Sequence, residues 1–364
     1  MDARVQTPGG LRRARGLGIE FDGQPGEHNA ITDVAGVEVG YATLVRGQGP
    51  LVRGRGPVRT GVTAILPRGR ARGAAPVFAA SFALNGNGEL TGTQWIEDSG
   101  ICQGPITITN THSCGLARDA TIRWLIERSD EPFERWLLPV AGETFDGELN
   151  DINGFHVTEA DVFRALDGAR GGPIELGSVG GGTGTICYDF KGGSGSASRR
   201  VAIAGREYHL GTFVQANFGR REELTIRGVR VGRQIRGGEV RSRPGGSIIA
   251  IVATDAPLLP HQLKRLARRV GLGLARTGSV SHNGSGDLFL ALSTANAEGL
   301  ERDAPLGEAA FLSNDSLDPL FAAVVESTEE AVIDSMVANR TMVGRDGVTV
   351  PALPHDRLLE LYRG

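Results

Sequence analysis

The stretch "SRPGGSIIAIVATDAP", residues 242–257, sets Ser247 between a Gly-Gly pair and an aliphatic run. The plain reading is a serine that closes a turn ahead of a strand, which is a common arrangement. The chemical reading begins at the Gly246–Ser247 bond. Cutting it would make Ser247 a chain start, its hydroxyl beside a free α-amine of pKa ~7.7–8.0, uncharged in a useful fraction at neutral pH. Nucleophile and general base then share one residue. Gly246 leaves its carbonyl uncrowded and tolerates a strained turn. The Ser247 hydroxyl can attack that carbonyl, shift the acyl group from nitrogen to oxygen, and pass the ester to water.

Two further stretches suit this chemistry. Residues 233–246 are charged and contain glycines, as a tail that must vacate a site would. "NGSGDLFLALSTAN" (283–296) carries Ser285 and Asp287 at the mouth of an expected strand, where residues two apart share a face. Ser285 would relay or hold the proton and Asp287 would stabilise the charged amine. Other chemistries find less support. Neither lysine, Lys191 nor Lys264, fits a phosphate-binding Gly-Lys-Ser/Thr loop. "GGGTGTIC" lacks the third glycine of a dinucleotide fingerprint and runs into a β-prone stretch. The seven histidines are scattered, without HExxH or paired CxxC, so neither cofactor nor metal is expected.

The elements that must position these residues read as an α/β chain. Short strands are expected in "GVTAILPRG" (61–69), "PVFAASFAL" (76–84), "GPITITNT", "HLGTFVQANFG" (209–219), "IIAIVAT" and "GDLFLALST" (286–294). "NAITDVAGVEVGYATLV" (29–45) reads as a strand pair turning at Ala35-Gly36, and "ELTIRGVRVG" (223–232) as a further strand. Apolar spacing predicts helices over 116–130, 158–169, 256–276 and 318–340. With 364 residues and no internal repeat or clear linker, one domain is expected, spanning 1–364 and cut into 1–246 and 247–364.

Composition bounds the function. The chain is 40% hydrophobic and 22% charged, with a net charge of −3 and 54 glycines that follow no period of three, so a soluble globular protein is expected rather than a collagen-like or disordered one. Arginines cluster at 53–72 and 220–243, but aromatics are only 5% of residues, and both clusters read as solvated surface rather than a nucleic-acid face. Three widely spaced cysteines argue for a reducing compartment. "MDARVQTPGGLRRARG" has no apolar core of a secretory signal, and no window approaches a membrane span; a cytoplasmic protein is expected.

"ITDVAGVEVG", "NGNGELTGT", "GPITITNTHSCG", "ETFDGELNDI", "VQANFG", "GSIIAIVATDAPLLPHQLKRLARR" and "NGSGDLFLALSTAN", in that order from about residue 15 to the C-terminus, resemble the L-aminopeptidase D-esterase/amidase family, which includes the β-peptidyl aminopeptidases. The resemblance implies a self-cleaved precursor and a four-layer αββα sandwich similar to N-terminal nucleophile hydrolases, with different connectivity. It implies a homotetramer of cleaved heterodimers acting on small peptides, amides or esters, with D- or β-aminoacyl substrates among the candidates. Carried over by position, Ser247 matches the nucleophile, Ser285 and Asp287 its supporting pair, Asn217 an oxyanion donor and Glu143 a carboxylate that anchors the substrate amine. The family pattern has a tyrosine hydroxyl where this sequence has Phe145, which puts the substrate class in doubt more than the fold. Trp136 and Trp95 are candidates to line the specificity pocket. Two other readings stay open: a self-cleaving acyltransferase, and a binding protein of the same fold without turnover.

Overall fold

In the computed structural model of the chain, residues 2–129, 136–238, 240, 245–301 and 305–363 are described; positions 239 and 241–244 of the tail lie outside them. Strands β1 (Glu38–Arg46), β2 (Val58–Leu66), β3 (Pro76–Gly86), β4 (Ile101–Gln103), β5 (Ile106–Asn110) and β6 (Val140–Thr144) come from the first part of the chain. The hairpin β7 (Ile186–Cys187) and β8 (Phe190–Lys191) leads to β9 (Gly193–Ile203), β10 (Arg206–Asn217), β11 (Gly246–Thr254) and β12 (Ser285–Ser293). The helices among the described residues are α1 (Thr93–Ser99), α2 (Cys114–Glu127), α3 (Glu159–Asp167), α4 (Val231–Gln234), α5 (Pro260–Arg276), α6 (Ala297–Glu301), α7 (Asp318–Val337) and α8 (His355–Arg363).

The two large sheets are ordered β1-β2-β5-β6 and β4-β3-β12-β11-β10-β9. Alternate residues of β11 show why its sequence is an unbroken aliphatic run. Ile248, Ala250 and Val252 face the layer shared with α5 and α7, while Ile249, Ile251 and Ala253 face the other sheet. A strand buried on both faces has no polar alternation. Each isoleucine and valine among them contributes roughly 1.5–3 kcal/mol of burial. The layer between the sheets joins Ile65, Ile106, Ile108 and Val140 to Phe213, Ile251 and Leu290. The far face of the smaller sheet is covered by α2 and α3. The order is therefore helices, sheet, sheet, helices: the αββα sandwich expected from the resemblance.

Three expectations are corrected. Residues 29–45 are not a strand pair: Asp33 accepts from the backbone N–H groups of His28 and Ala30 and holds Ile31–Asp33 as a helical turn, leaving β1 alone. The alternation at 223–232 is folded back at Arg227 and Gly228, whose positive φ values of 46° and 83° close a tight turn bridged from Ile226 to Val229. The arginine clusters are not wholly solvated. Arg59 and Arg221 are 6% and 2% exposed, each spending its guanidinium on backbone carbonyls, among them those of Val343 and Tyr188 respectively. All three cysteines are buried, and none is in a disulfide. No helix among the described residues is long and apolar enough to cross a membrane.

Candidate active site

The apolar layer between the sheets stops at one end, where β5, β6 and β10 finish and β11 and β12 begin. A cavity of about 620 Å³ opens there. The larger sheet contributes Asn217, Gly246 and Ser247 to its wall, and the facing sheet with its loops contributes Thr111, Glu143 and Phe145. Ser247, second residue of β11, pairs with Asn217, last residue of β10. Paired residues share a face, so the hydroxyl and the amide point the same way, into the layer that Ile249 fills deeper in.

The backbone at the candidate scissile bond demands glycine. Gly246 has φ 141°, and a Cβ there would lie 2.1 Å from the Asn217 carbonyl oxygen and 2.8 Å from the Phe218 Cα. Neither neighbour is a flexible side chain. Backbone strain of this kind costs of order 1–3 kcal/mol, so Gly246→Ala is expected to slow separation of the two chains severalfold to a hundredfold, read from a time course on a denaturing gel; an unchanged rate would contradict the fit.

Asn217 is fully buried and its orientation is unambiguous. Its Oδ1 accepts from the Ile186 N–H at 2.9 Å, and its Nδ2 donates to the Phe145 carbonyl at 2.7 Å. A donor and an acceptor on opposite ends fix which atom is which. Glu143, at the end of β6, is 3% exposed. Its Oε1 accepts from the Glu89 N–H at 3.1 Å and its Oε2 from the Thr111 hydroxyl. Burial raises the Glu143 pKa, and the neighbouring Glu89 adds to that, while Thr111, the Glu89 N–H and His112 pull it down.

Ser285 and Asp287 stand on the other side of Ser247. On the parallel neighbour β12, Ser285 pairs with Gly246, Gly286 with Ser247 and Asp287 with Ile248. The pair therefore flanks the Gly246–Ser247 peptide on the opposite face from the Ser247 side chain and does not line the cavity. The Ser285 hydroxyl donates to Asp287 Oδ1 at 2.6 Å, while Asp287 Oδ2 is buried without a hydrogen bond. Burial raises the Asp287 pKa against the lowering influence of Ser285, Ser281 and His282. A buried carboxylate oxygen without a partner is costly, and a cation released beside it would relieve that cost.

Phe145 is 42% exposed and its ring rests on Gly147, where a Cβ would meet the para carbon at 2.4 Å. It brings no hydroxyl to the cavity. Trp136 and Trp95 pack edge to face on each other, 4.8 Å between centroids, outside the cavity wall. Thr111 and Glu89, which hold Glu143, and Ile186, which orients Asn217, were not singled out from sequence. Thr111 lies inside one of the resemblance motifs, but a backbone N–H such as that of Ile186 leaves no trace in residue type.

Residues 29–350 match the model of peptidase family S58. The chain is 48% identical to a beta-peptidyl aminopeptidase, BapA, of Sphingosinicella microcystinivorans, across 96% of this chain and 92% of that protein. Its fold superposes with a TM-score of 0.91 on an L-aminopeptidase D-Ala-esterase/amidase from Ochrobactrum anthropi, described as a prototype of the serine aminopeptidases and a variant of the Ntn hydrolase fold. That match is 49% identical and covers 96% of this chain and 98% of that one. A Burkholderia sp. beta-aminopeptidase matches with a TM-score of 0.87 at 44% identity, covering 96% and 98%.

Proposed function

From the chain's membership of peptidase family S58, which makes it a hydrolase of the aminopeptidase kind, we propose that Ser247 is its nucleophile, freed when the chain cuts itself between Gly246 and Ser247. The observation that carries the reading is one cavity holding the Ser247–Asn217 register pair in one wall and the buried Glu143 carboxylate in the other. In processing, Ser247 Oγ attacks the Gly246 carbonyl and the C–N bond breaks as the acyl group moves to oxygen. Water then hydrolyses the ester, giving chains 1–246 and 247–364. The new α-amine is the general base for later turnovers. Asp287 carries the matching negative charge, and Ser285 passes the proton between them.

In turnover the substrate's ammonium docks on Glu143 and its scissile carbonyl meets Ser247 Oγ. The Asn217 Nδ2–H group takes the oxyanion, the leaving amine receives the proton, and water resolves the acyl-enzyme. Short peptides, amides and esters with a free amine fit this wall, β-aminoacyl and D-aminoacyl groups among them, and the relatives' activities support the choice. Assembly into a homotetramer of cleaved αβ heterodimers in the cytoplasm completes the proposal. An acyltransferase gains no support from these relatives.

Two measurements test the amine anchor. An aminoacyl amide with a free N-terminus is expected to turn over while its N-acetyl counterpart is not; equal turnover would remove Glu143 from its role. The second is the acid limb. A carboxyl with a raised pKa loses its charge at a higher pH than usual, so KM is expected to rise on acidification before an ordinary glutamate would protonate, with kcat less affected. A KM flat through that range would contradict the assignment.

A further inference from the structure

Lys191 is one of two lysines in the chain and is wholly buried. Its Nζ donates to the carbonyls of Gly192 at 2.6 Å, Thr185 at 2.9 Å and Gly182 at 3.4 Å. An ammonium has three protons and no acceptor, so three carbonyls match its charged form. The Thr185 carbonyl belongs to the same peptide group as the Ile186 N–H, and that N–H donates to Asn217 Oδ1 at 2.9 Å. Two amides in series thus join the ammonium to the group facing Ser247: Lys191 Nζ to Thr185 O, across the peptide to Ile186 N, to Asn217 Oδ1, and through the side-chain amide to Nδ2. Each amide in such a chain polarises the next, because charge drawn to its oxygen strengthens its N–H as a donor.

We propose that Lys191 is a positioning residue for the oxyanion site, acting only through the Thr185–Ile186 peptide to hold and polarise the Asn217 amide. The inference rests on Asn217 serving as the oxyanion donor. The glycine-rich segment explains the route: a Cβ at Gly182 would lie 2.3 Å from the Ser194 nitrogen, and one at Gly192 would lie 2.6 Å from the Ala216 carbonyl oxygen. Those close approaches bring the carbonyls around Nζ. The hairpin is pinned again by the Tyr188 N–H bonded to the Phe218 carbonyl at 2.8 Å.

The titratable groups that reach Lys191 are Cys187 on β7 and Asp146 after β6, both favouring its charge, while burial pushes its pKa down to about 7. A group with a depressed pKa loses its proton as pH rises through that value, so the alkaline side of the kcat profile would carry its titration.

The test uses the processed enzyme, with rates expressed per mole of cleaved chain. Lys191→Met keeps the stem and removes the charge; it is expected to lower kcat about tenfold with KM within twofold. It should weaken a boronate transition-state mimic by the same factor and alter the alkaline limb of kcat. Lys191→Arg should recover part of the loss. In an Asn217→Ala background, Lys191→Met should add nothing further, because its only route is gone. If that last variant is no worse than Asn217→Ala alone, but Asn217→Ala itself leaves kcat unchanged, the failure lies with the oxyanion assignment. Additive losses, a change confined to KM, or failure of both Met and Arg variants to fold would each overturn the proposal.

Discussion

Ser247→Ala is expected to leave one uncut chain and to abolish aminopeptidase activity, by about 10⁴-fold or more, the scale seen when a hydrolase loses its nucleophile. Both effects have one cause. In the proposed mechanism the hydroxyl that attacks Gly246 is also the one that attacks substrate, and without it the α-amine would not be released. The variant is expected to fold: Ser247 is small and 3% exposed, and its strand is held by Ile248–Val252 packed on both faces. Thermal unfolding should therefore match an uncut wild-type chain. Ser285→Ala should differ in kind, since Ser285 flanks the peptide without lining the cavity. It is expected to slow processing and turnover while leaving both detectable.

Asn217→Ala is the second large effect. Removing one oxyanion donor costs about 10²–10³ in kcat, and here the loss should fall toward the upper end. Phe145 offers no hydroxyl beside Asn217, so in the proposed mechanism the amide would carry more of the developing charge than it would with a second donor. KM should stay nearly constant, because the interaction belongs to the transition state; a rise in KM with kcat preserved would mean that Asn217 only binds substrate. In a Phe145→Tyr background the same substitution should cost less. An equal cost in both backgrounds would show that a hydroxyl at position 145 does not reach the oxyanion.

Much of this was legible in the sequence, for identifiable reasons. The β11 and β12 runs announced themselves as strands buried on two faces, and the stripe of Leu259, Leu263, Leu266, Val270 and Leu274 announced α5, whose buried face carries all of these except Leu259, which precedes the helix as its N-cap. Ser247, Ser285, Asp287, Asn217 and Glu143 were visible as residue types in motifs; the fold gathers Ser247, Asn217 and Glu143 at one end of the inter-sheet layer and sets Ser285 and Asp287 beside them on the opposite face of the larger sheet. What the sequence hid was register and backbone. The alternation that made 223–232 look like a strand gave no warning of positive φ at Arg227. The spacing of Ser285 and Asp287 placed them on one face without saying which. That face is set by pairing Ser285 with Gly246 across 39 positions of chain, and non-local pairing of this kind leaves no local signal. Lys191 was weighed only against a phosphate-loop pattern, since the role inferred for it runs through a peptide group and no motif records that.

The most direct test of the central claim is the intact mass of the purified wild-type protein after incubation at neutral pH. Two species are expected, corresponding to residues 1–246 and 247–364, the second beginning with Ser247 bearing a free amine. A single species at the full 38.4 kDa, stable on incubation and active on an aminoacyl amide, would contradict it.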